Sequence, residues 1–137
     1  MPSRASLALL ALAVLPLSGC NPDEASSLAH AAGADLHLKL SDDQARSILT
    51  DIQHRNPTMS KSDILDRFKE NAKKANEIID GIGERAACSA IEVRLKFGAW
   101  QQSDVAKALQ EQQSKTSVTI DTLAAVCRAK ELAESGF

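Results

Sequence analysis

The chain has 137 residues, 16 Lys and Arg against 18 Asp and Glu, and a net charge of −2. That near-neutrality offers no large basic face and excludes an electrostatic nucleic-acid binder. Three Phe, one Trp and no Tyr are too few aromatics for an ordinary strand-rich fold, whereas the abundant Ala, Leu, Gln, Glu and Lys favour helix.

Residues 1–20 have three parts: a positive charge at Arg4, an almost unbroken apolar run from Leu7 to Leu17, and small residues leading to Cys20. This is the layout of a secretory signal peptide. The run is about eleven residues, against the twenty or so that a membrane-spanning helix needs. The stretch Leu17-Ser18-Gly19-Cys20 resembles the lipobox of bacterial lipoproteins: an aliphatic residue, two small residues and a cysteine. The resemblance covers the first twenty or so residues and implies a processing class. Residues 1–19 are expected to be cleaved, the Cys20 thiol to receive a diacylglyceryl group, and the new amino terminus to be acylated. At about 0.8 kcal/mol per buried methylene, two or three chains hold a protein on a membrane where one does not. Asn21 stands where an Asp would favour the inner membrane, so the expected location is the outer membrane, facing the periplasm.

Residues 20–40 read as the lipidated cysteine and a flexible tether. Residues 21–35 sustain no apolar periodicity, and Leu36-His37-Leu38-Lys39-Leu40 alternates as an extended segment lying across a helical surface. A helical domain is then expected over 41–137. Ser41 with Gln44 forms a capping box, with Asp42 and Asp43 suited to the helix dipole. Ala45, Ile48, Leu49 and Ile52 make one face, and Asn56-Pro57 ends the helix.

Ser60 caps a second helix. From Ile64 through Phe68, Ala72, Ala75, Ile79, Ile82, Ala86, Ala90 and Val93 to Phe97, its apolar residues stay within about 40° of one line at 100° per residue. Gly81 and Gly83 interrupt this line in composition but not in phase, so they mark either a kink or a close helix contact. Cys88, Ile91 and Leu95 form a second line, so 84–97 is expected to be the centrally buried helix. Gly98 ends it, and Ser103 caps a third helix with Val105, Ala108 and Leu109 inward.

Once Cys20 carries lipid, Cys88 and Cys127 remain as an even pair in an oxidising compartment, which implies a structural disulfide. A simple hairpin turning near residue 100 would leave Cys127 about fifteen residues, roughly 22 Å, from its partner. A disulfide needs Cα atoms within about 7 Å. The chain must therefore turn again at 112–117, with Ser117 as the new cap. The last helix then carries Ile120, Leu123, Ala124 and Cys127 on one face, and Cys127 points into the core.

The expected fold is an all-α, disulfide-stapled bundle of about four helices. No Ser/His/Asp or Cys/His grouping goes beyond the residue types being present, and His30, His37 and His54 share no ligand spacing. The expectation is a non-enzymatic protein with no metal and no cofactor. It would be held on the membrane through Cys20 and bind another protein, as immunity and entry-exclusion lipoproteins or assembly accessories do. Trp100, the single tryptophan, either caps the end of the bundle or anchors a partner. The alternatives are a small-ligand or lipid carrier, or a structural envelope component. Alanines at 72, 75, 86, 87 and 90 suit close helix packing and argue against a roomy cavity.

Overall fold

The computed structural model describes residues 20–135; the expected signal peptide, 1–19, lies outside them. The described residues are all helical in architecture, with no strand among them. They form six α-helices: α1 (Cys20–Ala31), α2 (Asp42–Arg55), α3 (Lys61–Ile82), α4 (Glu84–Phe97), α5 (Asp104–Thr116) and α6 (Ile120–Ser135). A π-helical turn, Ala32–Leu36, continues α1.

Six helices replace the expected four for two reasons. First, residues 21–35 do not form a tether. They fold as α1, and Ala25, Leu28, Ala32 and Leu36 are buried in the common core against α2 and α3. Their spacing of three or four residues is a helical stripe, half of it alanine. The chain becomes extended only after His37, a left-handed residue at φ 57°, and there Leu38 and Leu40 rest on the core as expected.

Second, the helix expected from Ser60 to Phe97 is two. Gly83 adopts φ 120°, ψ 117°, a conformation that side-chain-bearing residues rarely take, and α3 stops there. The break shifts the phase. In α3 the expected stripe from Ile64 to Ile79 is buried, joined by Leu65 and Ile78. In α4 the buried residues are Ala87, Ala90 and Ile91. Ala86 is exposed, Val93 half-buried, and Phe97 73% exposed.

The local end signals hold. Ser41 and Gln44 exchange both capping-box hydrogen bonds, at 2.9 and 3.1 Å. Ser60 Oγ accepts from the Asp63 N–H and Ser103 Oγ from the Ala106 N–H, each at 3.1 Å. Gly98 closes α4 in the left-handed conformation. In α5, Leu109 is buried as expected, but Ala106 is the other buried residue, with Val105 and Ala108 half-buried. A second turn does precede the helix of Cys127, but at 117–119 rather than over the expected 112–117, since α5 stays helical to Thr116. Ser117, however, ends α5 at φ 62°; it is Thr119 whose Oγ1 accepts from the Thr122 N–H at 3.3 Å and starts α6.

The central helix is α6, not α4. Thr122 to Val126 and Ala129 are all buried, and α6 packs against α3, α2 and α4. Lys130, its side chain only 11% exposed, reaches Asp80 at 3.1 Å and Glu84 at 3.6 Å, one on each side of the Gly83 break.

Because α1 belongs to the core, Leu28→Ala should cost about 2–5 kcal/mol in urea denaturation; in a tether it would cost nothing. A Cβ on Gly83 would meet no atom within 4 Å. Gly83→Ala should therefore destabilise by about 1–3 kcal/mol through backbone strain alone, read in the same experiment.

Candidate functional site

Two helices flank the outer face of α6. Cys88 lies beside Cys127 and Glu84 beside Lys130, so α4 runs antiparallel to α6. On the other side, the Gln44 Nε2–H donates to the Leu132 carbonyl at 3.2 Å and Arg128 reaches Asp51 at 3.1 Å, so α2 is antiparallel too. Between α2 and α4, over α6, lies an open cleft of about 940 Å³.

Its apolar lining comes from Ile52 of α2, Ile91 and Leu95 of α4, and Ala124 of α6. Cys88 and Cys127 complete it, half-buried and at disulfide-bonding distance, with Cα atoms 5.6 Å apart. Cys127 thus faces the cleft rather than the core interior. The line Cys88, Ile91, Leu95, read as the inner face of a central helix, is a cleft wall. The alanine-rich contacts are close as expected at Ala72, Ala75, Ala87 and Ala90, yet the cleft lies elsewhere, so they say nothing about its size.

Charge rims this lining. Arg55 of α2 meets Glu92 of α4 at 3.4 Å, a bridge from wall to wall. Arg128 holds Asp51 and, at 2.9 Å, Glu131. At the end where α4 begins, Glu84 and Glu134 come together, and Glu134's pKa is raised chiefly by the hydrogen bond and charge of Glu84, with Lys130 and Arg85 opposing. Glu84 and Glu92 have no partner nearby in sequence; the fold supplies Lys130 and Arg55 from other helices. Spacing along one helix could not reveal this.

The other residues singled out by sequence do not join the cleft. Trp100 sits between α4 and α5, half-buried against the core. Cys20 is the first residue of α1. His30, His37 and His54 are exposed and scattered. Among the described residues no three His, Cys, Asp or Glu side chains converge to hold a metal ion, and no described helix is long and apolar enough to cross a membrane.

One buried acid stands apart, in the first turn of α6. Asp121 is 7% exposed; its Oδ2 lies 3.7 Å from Arg67 and its Oδ1 has no hydrogen-bond partner. Desolvation pushes its pKa above the ordinary 3.8, against the opposing pull of Arg67, Asn56 and Arg94.

No protein-family model, no curated protein and no solved structure matches the chain. The functional reading therefore rests on its own residues.

Cys88 and Cys127 are 39 positions apart, and a cross-link closing that loop is worth about 4 kcal/mol in the chain-entropy model. Cys88→Ser, Cys127→Ser and the double change should each lose that much in urea denaturation, and protein isolated from cells without reductant should titrate no free thiol at either position. For Asp121 the folded pKa lies above the unfolded one, so the folded state binds the proton more readily. Its contribution to stability should rise as pH falls through the raised pKa towards 3.8, and be lowest above it. Denaturation of wild type and Asp121→Asn across that range should show the wild type gaining on the variant as pH falls.

Proposed function

We propose that this chain is a lipid-anchored protein of the bacterial envelope whose helical domain binds another protein through the α2–α4–α6 cleft. Leu17-Ser18-Gly19-Cys20 supports the anchor, and Asn21 the outer membrane facing the periplasm. The single observation that carries the binding role is the cleft's construction. An apolar floor inside a rim of both charge signs is the anatomy of a protein interface, with a dry centre and a polar edge. The domain acts by binding rather than by catalysis.

A second reading has one observation in its favour. About 940 Å³ lies within the range of small-ligand pockets, roughly 300–1,000 Å³, so a carrier of a small apolar ligand is the alternative. The charged walls along the cleft favour the protein.

Trp100, packed on the core, supports its reading as a cap for the α4–α5 end; a partner would touch it only by extending beyond the cleft.

The test is cross-linking in cells followed by affinity capture, with wild type, Leu95→Lys and Trp100→Ala side by side. One dominant partner is expected, lost with Leu95→Lys, which puts a charge on the cleft lining, and retained with Trp100→Ala. A bound lipid and no partner protein would turn the assignment to the carrier. Cys20→Ser should leave a longer, unlipidated precursor on a gel; normal processing of that variant would remove the anchor.

A further inference from the structure

Side-chain bonds between helices fix which end of the bundle carries Cys20. The start of α2 meets the end of α6 through Gln44 and the Leu132 carbonyl. Lys130 of α6 meets the end of α3 at Asp80 and the start of α4 at Glu84. These termini form one end of the bundle, around the Gly83 corner. Helix α1 joins them there, where Ser26 Oγ donates to Asp42 Oδ2 at 3.1 Å.

From Ser26, α1 runs back six residues to Cys20, about 9 Å, and on in the other direction through the π-helical turn to Leu36. Leu36 is buried, and its turn packs against α3. The Leu38 N–H then bonds the Ala32 carbonyl at 3.2 Å, and Leu38, Lys39 and Leu40 double back beside Ala29 to Ala34. Ser26 is already level with the end of the bundle. Only a helix that runs inward from there can bury Leu36, so Cys20 is left at the outer end.

Nothing between Cys20 and the core can pay out as a linker. Helix α1 begins at Cys20 itself, and Ala25, five positions on, is fully buried. Five helical residues rise about 8 Å, too short a reach to lift a domain off a bilayer. The exposed charges at this end are Asp42, Asp43, Asp80 and Glu134 against Arg46 and Arg85, with Arg46 bridged to Asp43; Lys130 is almost buried. A face with that excess of carboxylates is repelled by anionic lipid at close range. Trp100 belongs to the other end, since α4 rises about 20 Å from Glu84 to Phe97 before reaching it.

Resting on the lipid-anchor reading above, we infer that the domain stands end-on on the bilayer. The Gly83 corner, with the starts of α1 and α2 and the end of α6, lies against zwitterionic phospholipid headgroups, and the α4–α5 loop points away. The cleft then rises from the membrane, with its Glu84 mouth at the headgroups.

The experiment uses the full lipidated chain on phosphatidylcholine vesicles, some carrying a nitroxide on the headgroup as a fluorescence quencher. Wild type reports from Trp100 alone. Gly81→Trp and Ser135→Trp, each with Trp100→Phe, report from the corner; both sites are exposed, and a side chain at Gly81 meets no atom within 4 Å. The two corner indoles should lose most of their emission to the quencher and Trp100 none. A flexible Gly-Ser insert of about twelve residues after Asn21, reaching about 20 Å, should restore the lost emission. Phosphatidylglycerol vesicles should reduce the loss. Urea denaturation of each variant checks that the fold is kept.

Equal quenching at Trp100 and the corner, or none at either on vesicle-bound protein, would overturn the end-on placement and leave the lipid anchor standing. Equal or greater corner quenching on phosphatidylglycerol would overturn the choice of headgroup. Acylated protein that does not float with the vesicles would remove the anchor and the placement together.

Discussion

The bundle depends on burying a helix on nearly every side. Helix α6 can sit in the middle because its inward positions are small or compact. Ala124, Ala125 and Ala129, with Thr122 and Val126, let α3, α2 and α4 approach it together. A helix so enclosed has little polar surface left. Its two long cations, Arg128 and Lys130, reach out along the gaps to acids on the neighbouring helices, Asp51 on one side and Asp80 and Glu84 on the other. The charge is thereby carried to the rim while the alkyl stems fill the space between helices. Helix α6 also ties to an element far from it in sequence. The bond from Gln44 to the Leu132 carbonyl spans 88 positions.

The Gly83 break decides how α4 meets that centre. A continuous helix would have directed Ala86, Val93 and Phe97 inward. With the break, Ala90 stays inward as expected but is joined by Ala87 and Ile91 instead, and Cys88 reaches Cys127. Lys130 fixes the corner by holding acids on both sides of it. Glu84 can be the first residue of α4 without cost, since a carboxylate there faces the positive end of the helix dipole. The same placement brings it against Glu134. The corner thus sets the register of the cysteines and puts negative charge at the cleft mouth.

What could be read in the sequence was what is local or fixed by a distance. Ser41 with Gln44, Ser60, Ser103 and Gly98 bond within one turn of themselves, so their neighbours suffice to identify them. The turn before α6 followed from the separation of Cys88 and Cys127, a long-range restraint written in two residues. The failures have equally definite causes. Helix α1 was concealed because its buried stripe, Ala25, Leu28, Ala32 and Leu36, is half alanine and set among Asn, Pro and Ser, which read as linker. The phase of α4 was misjudged because a glycine's dihedrals are invisible in a hydrophobic pattern. The cleft was not legible at all: its walls come from three helices, and Glu92 acquires meaning only when Arg55 is across from it.

The cleft and the tight packing have one origin. Small residues on the inward sides of α6, Ala124 among them, bring its neighbours close; on its outward side Cys127 is small too, and it stays half-buried beside Cys88 of α4. A larger side chain there would fill the trough from below, and the flanking helices could then close over an ordinary core. Instead α2 and α4, each drawn onto α6, leave a channel between them wider than the side chains on its floor can occupy. Arg55 and Glu92 bridge it at the rim, where exposed ion pairs contribute little, so the channel is spanned but not filled. Beneath that bridge Ile52, Ile91 and Ala124 are already buried, while Leu95, Cys88 and Cys127 stay half-buried.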